Sequence, residues 1–232
     1  YAQANLVILP REVAFDFSLF CQRNPKPCPI LEVVEPGKYE PVLTAPGADL
    51  RVDLPLYRIY KEGKLVSEEE DITSYWTSEL VCFLLGCSFT FETALMRAGI
   101  ALRHIAEGKN VAMYETNIEA ASAGIFSGPV VVSMRPIHVT KVVKSIQITS
   151  RFPLVHGAPL HIGDPKRIGI RDIARPQYGD YVGIREDEVP VFWACGVTSQ
   201  AVALKSRPPL MITHSPGHMF ITDILDEELA AL

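Results

Sequence analysis

The period of the apolar positions changes along the chain, and each change marks an element. The opening "ANLVILP" is a continuous apolar run suited to a core strand. Val13, Phe17 and Phe20 then recur at helical spacing up to Asn24-Pro25, which predicts a helix over 11–22. "NPKPCPILEVV" carries three prolines in five positions and cannot be helical, so it reads as an extended entry to a strand near 30–35. A Pro/Gly-rich crossing over 35–53 leads to the alternating "LPLYRIYKEGKLV", a hairpin turning at Glu62-Gly63. In "EEEDITSYWTSELVCFLLG", Asp71 is placed as an N-cap and Gly86 as a closing glycine, which predicts a helix over 74–85. "TFETALMRAG" follows as a second helix closed by Gly99, with "GCSF" as the tight connection.

Beyond Gly108, "NVAMYETNI" and "GPVVVSMRPI" read as strands. "HVTKVVKSIQITSRF" reads as a helix burying Val139, Val142, Val143 and Ile146. The remainder resolves into short strands separated by turns: "PLHIG", "YVGI", "VPVFWACG" and "LMITHSPGHMFITDI". Strands and helices mix without a regular βαβ alternation, which points to an α+β fold or to an α/β sheet with an inserted lobe. The expected organisation is one bilobed unit. Residues 1–108 and 153–232 form the main portion, and 109–152 a smaller β-β-α lobe.

Composition narrows the function. A chain of 232 residues with 48% hydrophobic and 21% charged residues suits a globular protein with a sizeable core. Its longest apolar runs, "LVCFLLGC" and "GPVVVSM", fall far short of the roughly 20 residues of a spanning helix, so no membrane role is expected. A net charge of −5 without a Lys/Arg cluster argues against nucleic acid and leaves a small molecule as the partner. Cys21, Cys28, Cys82, Cys87 and Cys195 are odd in number and lack CxxC spacing, which suggests reduced thiols and a cytoplasmic setting. The first residues lack both a signal-peptide pattern and an initiator Met, and a truncated copy of a longer chain is expected.

Candidate chemistry concentrates where strands end. "HGAPLHIGDP" brings His156, His161 and Asp164 close together on a bent, Gly/Pro-rich loop. Three readings stay open. They are acid–base work near neutral pH, ligation of a divalent metal such as Mn²⁺, and a structural turn with Asp164 as its cap. In "GCSFTFE", Cys87 and Ser88 stand at a turn before a helix whose first residues include Glu92, a capping partner or an acid–base group. "VVSMRPIH" ends an apolar strand in Ser133 and Arg135, the latter placed to grip a carboxylate or to pair at a sheet edge. Tyr114, Thr116 and Asn117, then Cys195 and Thr198, then His214 complete a set of small polar groups that would line a pocket. There is no GxGxxG or GxxxxGK[ST] motif, so no nucleotide cofactor is expected and none is required by the sequence.

These motifs coincide with a known family. "QANLVILP", "GCSFTFETALMRAGI", "NVAMYETNI", "FSGPVVVSMRPI", "SRFPLVHGAPLHIGDPKRIGI", "VPVFWACGVTSQ" and "ITHSPGHMFITD" together resemble the D-glutamate cyclase family, from Ala2 to about Asp223. The resemblance implies an α/β fold with a three-layer portion and a smaller two-layer portion. It also implies conversion of D-glutamate to 5-oxo-D-proline with loss of water. In that scheme Arg135 holds a substrate carboxylate and the Ser88 turn a second anion. His156 or His161, oriented by Asp164, moves the protons, while Thr116, Asn117 and Thr198 donate hydrogen bonds. The alternatives are a hydro-lyase acting on another hydroxy or amino acid, with a metal on His156, His161 and Asp164, and a non-catalytic binding module for an amino-acid derivative. A homo-oligomer is compatible with each.

Overall fold

A computed structural model describes residues 1–231. The order is β1 (Gln3–Pro10), α1 (Arg11–Arg23), β2 (Ile30–Val34), β3 (Tyr57–Lys61), β4 (Lys64–Glu69), β5 (Leu80–Gly86), α2 (Glu92–Arg97) and α3 (Arg103–Ala106). Then follow β6 (Ala112–Glu119), β7 (Pro129–His138), α4 (Val142–Thr149), β8 (His161–Ile162), β9 (Glu188–Ala194), α5 (Thr198–Ser206), β10 (Leu210–His214) and β11 (Phe220–Ile221). The strands make two antiparallel sheets, one ordered β2-β5-β1-β10-β3-β4 with β11 on β1, the other β6-β7-β9-β8. The fold is mixed α+β. The segment 109–152 supplies β6, β7 and α4, while β8 and β9 from farther along the chain complete the same sheet.

Strand periodicity explains the layers. In β1, Ala4, Leu6 and Ile8 enter a core covered by the long 35–56 crossing, while Val7 and Leu9 face the opposite side. That opposite side meets α1, α5 and the inner face of the second sheet through Phe17, Phe20, Val202, Tyr114, Val132 and Phe192. The outer face of the second sheet, with Ile137, Val191 and Trp193, packs against Phe91 and Leu95 of the α2 region and partly buried Val142 and Ile148 of α4.

Three expectations are corrected. The stretch predicted as a helix over 74–85 is a short 3₁₀ turn at Thr73–Tyr75 followed by strand β5. All seven residues of β5 are buried, and β1 and β2 pair with its two edges. A strand buried on both faces reads as an unbroken apolar run, which periodicity cannot tell from a buried helix. The helix near 142 buries a different face, with Val143 66% exposed and Ser145 and Thr149 fully enclosed. A 3₁₀ turn over Val139–Lys141 precedes it and rotates the register; Thr149 then serves as acceptor for the Trp193 indole N–H at 3.1 Å. Finally, α5 lies where the sequence suggests only strands and turns. Thr198 through Ala203 are buried all round, so the helix has no polar stripe to betray its period.

Gly86 ends β5 at a point of backbone contact. A Cβ there would stand 1.9 Å from the Leu154 carbonyl oxygen, so the 153–155 turn can lie directly on the strand end only because this residue lacks a side chain. Gly86→Ala is expected to lower unfolding free energy by about 3 kcal/mol. Gly183→Ala, with open space around its position, is expected to stay within about 0.5 kcal/mol of the parent. Urea denaturation of both variants checks the pair, and equal effects would refute the contact.

Candidate functional site

At the end of β5 the chain turns through Cys87 and a 3₁₀ segment, Ser88–Phe91, into α2, so Glu92 opens the helix. On the outer face of the second sheet, β7 presents Ser133 and Arg135, opposite Trp193 and Val191 of β9. These two elements meet through Arg135, which has no solvent exposure at all. Its Nε and Nη2 donate to Glu92 Oε1 at 2.8 and 2.5 Å, Nη1 donates to Ser133 Oγ at 2.9 Å, and Nη2 reaches Ser88 Oγ at 3.1 Å. The guanidinium carbon lies 5.3 Å from the Phe91 ring centre and 5.5 Å from that of Trp193.

A guanidinium cannot shed its charge on burial, so it requires a counter-charge inside the protein. Glu92 supplies it. Burial works against ionisation of the Glu92 carboxyl, but Arg135 and His104 outweigh it and hold the group below the usual carboxylate range. His104, from α3, is itself buried and brings Nε2 to 3.0 Å from Glu92 Oε1. That approach is close enough for an ion pair but poorly aligned, and neither ring nitrogen has a well-directed hydrogen-bond partner among the described residues. The same oxygen of Glu92 therefore collects Arg135 and His104, which leaves Oε2 without a protein donor among the described residues.

Glu92 and His104 border an open cleft of about 580 Å³. Its other walls are Gln3 of β1, Phe89 of the turn, Thr93 and Met96 of α2, Ile105 of α3, Lys109 and Asn110 after it, and the 216–218 turn carrying His218. The edges are fastened locally. Gln3 donates its backbone N–H to Thr90 Oγ1 at 3.1 Å, and a Cβ on Gly217 would stand 2.7 Å from the Asn110 side-chain nitrogen. The cleft therefore joins one buried carboxylate, two imidazoles, an ammonium and the primary amides of Gln3 and Asn110. Such a set can bind a small zwitterion and move protons on it.

The structure brings together only part of the set expected from sequence. Ser88, Glu92, Ser133 and Arg135 form one cluster, but Arg135 is spent inside the protein and cannot reach a substrate carboxylate. Cys87 and Cys195 are buried beside it. Burial pushes the Cys87 thiol up, and it pushes Cys195 up to about 11 against the opposing Val197 N–H and Arg135, so neither is an activated nucleophile. Thr198 is consumed in joining β7 to α5, accepting from the Val131 N–H at 3.0 Å and donating to the Cys195 carbonyl at 2.7 Å. Thr116 holds an irregularity of β6 and donates to the Val130 carbonyl, Tyr114 donates to the Ile173 carbonyl, and Asn117 is exposed elsewhere.

The histidine loop does not converge. His156 is buried with Nδ1 2.7 Å from the Lys26 carbonyl, and burial takes its pKa down to about 4. His161 packs on Phe192 and meets the Asp164 backbone carbonyl rather than its carboxylate. The Asp164 carboxylate instead accepts from the Lys166 N–H, capping the next 3₁₀ turn. The three do not form a metal-binding group, and no group of three or more His, Cys, Asp or Glu side chains among the described residues does. His214 is likewise buried inside β10, with its pKa taken down to about 4 by burial. The residues missed were His104, Lys109, Asn110 and His218. The last lies in the same "THSPGHM" turn as His214, four residues on, where the chain has left the strand.

A family model described as D-glutamate cyclase matches residues 81–223, a span that holds Glu92, His104, Arg135 and His218. Over all 232 residues the chain is 65% identical to "Putative hydro-lyase GK2103" of Geobacillus kaustophilus, covering 88% of that protein. It is 61% identical to "Putative hydro-lyase YcsI" of Bacillus subtilis over 232 residues, covering 90% of it. It is 60% identical to a "Putative hydro-lyase" of Stutzerimonas stutzeri over 232 residues, covering 88% of it. No described helix is long and apolar enough to cross a membrane.

Removing one member of the buried pair strands the other. Arg135→Met is expected to cost about 3–5 kcal/mol in urea unfolding, and adding Glu92→Gln to recover much of it. Because the folded Glu92 pKa lies below its unfolded value, its contribution is present above the ordinary carboxylate range and is lost as pH falls through the folded value. The stability gap between parent and Glu92→Gln is therefore expected to close with acidification. A gap that stays constant with pH would contradict an ionised Glu92.

His156 and His214 act in a separate window. Their folded values near 4 lie below the ordinary 6.5, so between those limits the unfolded chain binds protons that the folded chain refuses. Parent stability is expected to fall as pH drops through that window, each histidine adding up to about 1.4 kcal/mol per pH unit. Urea titrations across the window measure the slope, and a flat profile would refute it.

Proposed function

The chain belongs to the D-glutamate cyclase family, and we propose that it is a lyase that closes D-glutamate to 5-oxo-D-proline, with Glu92 receiving the substrate ammonium. The supporting observation is the ionised Glu92 carboxylate at the wall of an open cleft, anchored from behind by a fully buried arginine. The ring closure sets the requirements. The amine must lose a proton and attack the γ-carboxyl carbon, and the C–O bond to the departing oxygen then breaks. Two N–H protons leave the nitrogen in all, both end on that oxygen, and water departs. Net charge on the substrate does not change, so what the protein must supply is folding of the chain and transport of protons over a short path.

Glu92 Oε2 is placed to pair with the ammonium and take its proton. His104 touches Glu92 Oε1 at the inner wall of the same cleft and steadies the carboxylate there, while Glu92 itself hands the proton on to the leaving oxygen. Phe89 lines one side of the cleft and offers an apolar surface to the substrate's methylene groups.

D-glutamate, L-glutamate and both 5-oxoprolines are to be incubated with the protein and followed by chiral chromatography. Interconversion of the D pair alone is expected. Glu92→Gln is expected to lower kcat at least about 100-fold. His161→Ala and Asp164→Asn, which lie outside the cleft, are expected to stay within about twofold of the parent. No turnover of D-glutamate by folded parent protein would overturn the reading, as would full activity of Glu92→Gln.

A further inference from the structure

Across the cleft from Glu92 stands a group of donors that the ring closure itself does not use. Lys109 and Asn110 follow α3, and the 215–218 turn brings His218 beside them. The Asn110 backbone is fixed in both directions, its N–H donating to Asp180 Oδ2 at 3.0 Å and its carbonyl accepting from the Asp180 N–H at 3.2 Å. Its side-chain amide is left unbonded among the described residues, lying over Gly217 where a Cβ would collide with it. His218 directs Nδ1 to the Pro216 carbonyl at 3.2 Å, which leaves Nε2 as the uncommitted ring nitrogen. Lys109 Nζ rests on Glu107 Oε2 at 2.8 Å and on the Tyr181 carbonyl at 3.3 Å, on a side chain 42% exposed and free to turn. Opposite them, buried His104 keeps Nδ1 without a partner at the inner wall.

We infer that Lys109, Asn110 and His218 form the subsite for the substrate's spectator carboxylate, and that Glu107 holds Lys109 in reserve until that carboxylate arrives. The assignment rests on the cyclase reading for which carboxylate is the spectator. With the ammonium at Glu92 and the γ-carboxyl folded onto the amine, the α-carboxylate is the anionic group left over, and these donors are the ones facing it. A charge that does not change during the reaction is bound equally in ground and transition states, so the subsite governs KM and leaves kcat alone. Glu107 competes for the same ammonium, so removing its charge frees Lys109 and strengthens binding. A merely structural role for Glu107 would not produce a gain.

The test uses two readouts. Glutarate, a dicarboxylate without the ammonium, is titrated calorimetrically into the parent, Lys109→Met, His218→Gln and Glu107→Gln, and the same proteins are assayed with D-glutamate. Lys109→Met is expected to weaken glutarate binding and raise KM about tenfold, with kcat within about twofold. His218→Gln is expected to weaken glutarate binding about threefold or more. Glu107→Gln is expected to tighten binding about two- to fourfold. Glutarate binding that depends on Lys109, in a parent that does not turn over D-glutamate, keeps the subsite and removes the cyclase reading. Turnover of D-glutamate with KM unmoved in Lys109→Met and Glu107→Gln keeps the cyclase and overturns the subsite. Absence of glutarate binding by the parent at millimolar concentration, or a loss in kcat rather than in KM, overturns it as well.

Discussion

The buried guanidinium of Arg135 is the constraint on which the site depends. Its charge cannot be neutralised by proton loss, and an isolated charge of that size in a protein interior would cost several kcal/mol. The chain meets the demand with Glu92, Ser88 and Ser133, drawn from two elements far apart in sequence. Once these bonds form, the start of α2 can sit at only one height over β7. The Phe91 and Trp193 rings close over the guanidinium and keep water from competing for it. The ion pair therefore fixes where the Glu92 carboxylate stands and which of its oxygens stays free. Replacing such a pair with apolar residues often leaves stability unchanged or higher, so the pair is better explained by position than by stability.

The rest of the fold brings that pair to a cleft. β5 delivers the chain to the turn before α2, and it can end there because Gly86 admits the Leu154 carbonyl. Asn5 of β1 donates its side-chain amide to the Gly86 carbonyl at 2.7 Å and occupies the space where a Cβ on Gly196 would be. The first sheet, the turn before α2 and the connection from β9 to α5 are thus fastened at one point. The cleft opens beside that junction, and the turn after β10 supplies its far wall.

What the sequence reveals follows from how each residue acts. Ser88, Glu92, Ser133 and Arg135 could be singled out because charged and hydroxyl groups beside apolar runs stand out against their neighbours. Their mutual pairing could not, since it depends on how β7 lies over the β5–α2 turn. Arg135 looked like a ligand for substrate because the apolar run before it suggests a strand end, whereas β7 continues to His138 and the side chain is enclosed. His104 gave no signal at all. It is a lone imidazole in a helix of four residues, with no spacing partner. The loop from Ser150 to Pro165 gave too strong a signal, because Gly, Pro, His and Asp also serve tight turns. There the left-handed backbone of His156 and the capping Asp164 perform structural work.

Holding Glu92 ionised also limits what it can do. A carboxylate stabilised by a fixed positive charge is a strong partner for a cation and a reluctant proton acceptor, since protonation would strand Arg135. Under the proposed cyclisation, a proton on Glu92 must therefore be short-lived, and the chemistry favours passing it on at once. The departing oxygen of the substrate, which must gain two protons to leave as water, is the acceptor that the reaction itself supplies. In that scheme the buried arginine keeps the carboxylate charged, and the departing oxygen keeps it from remaining protonated.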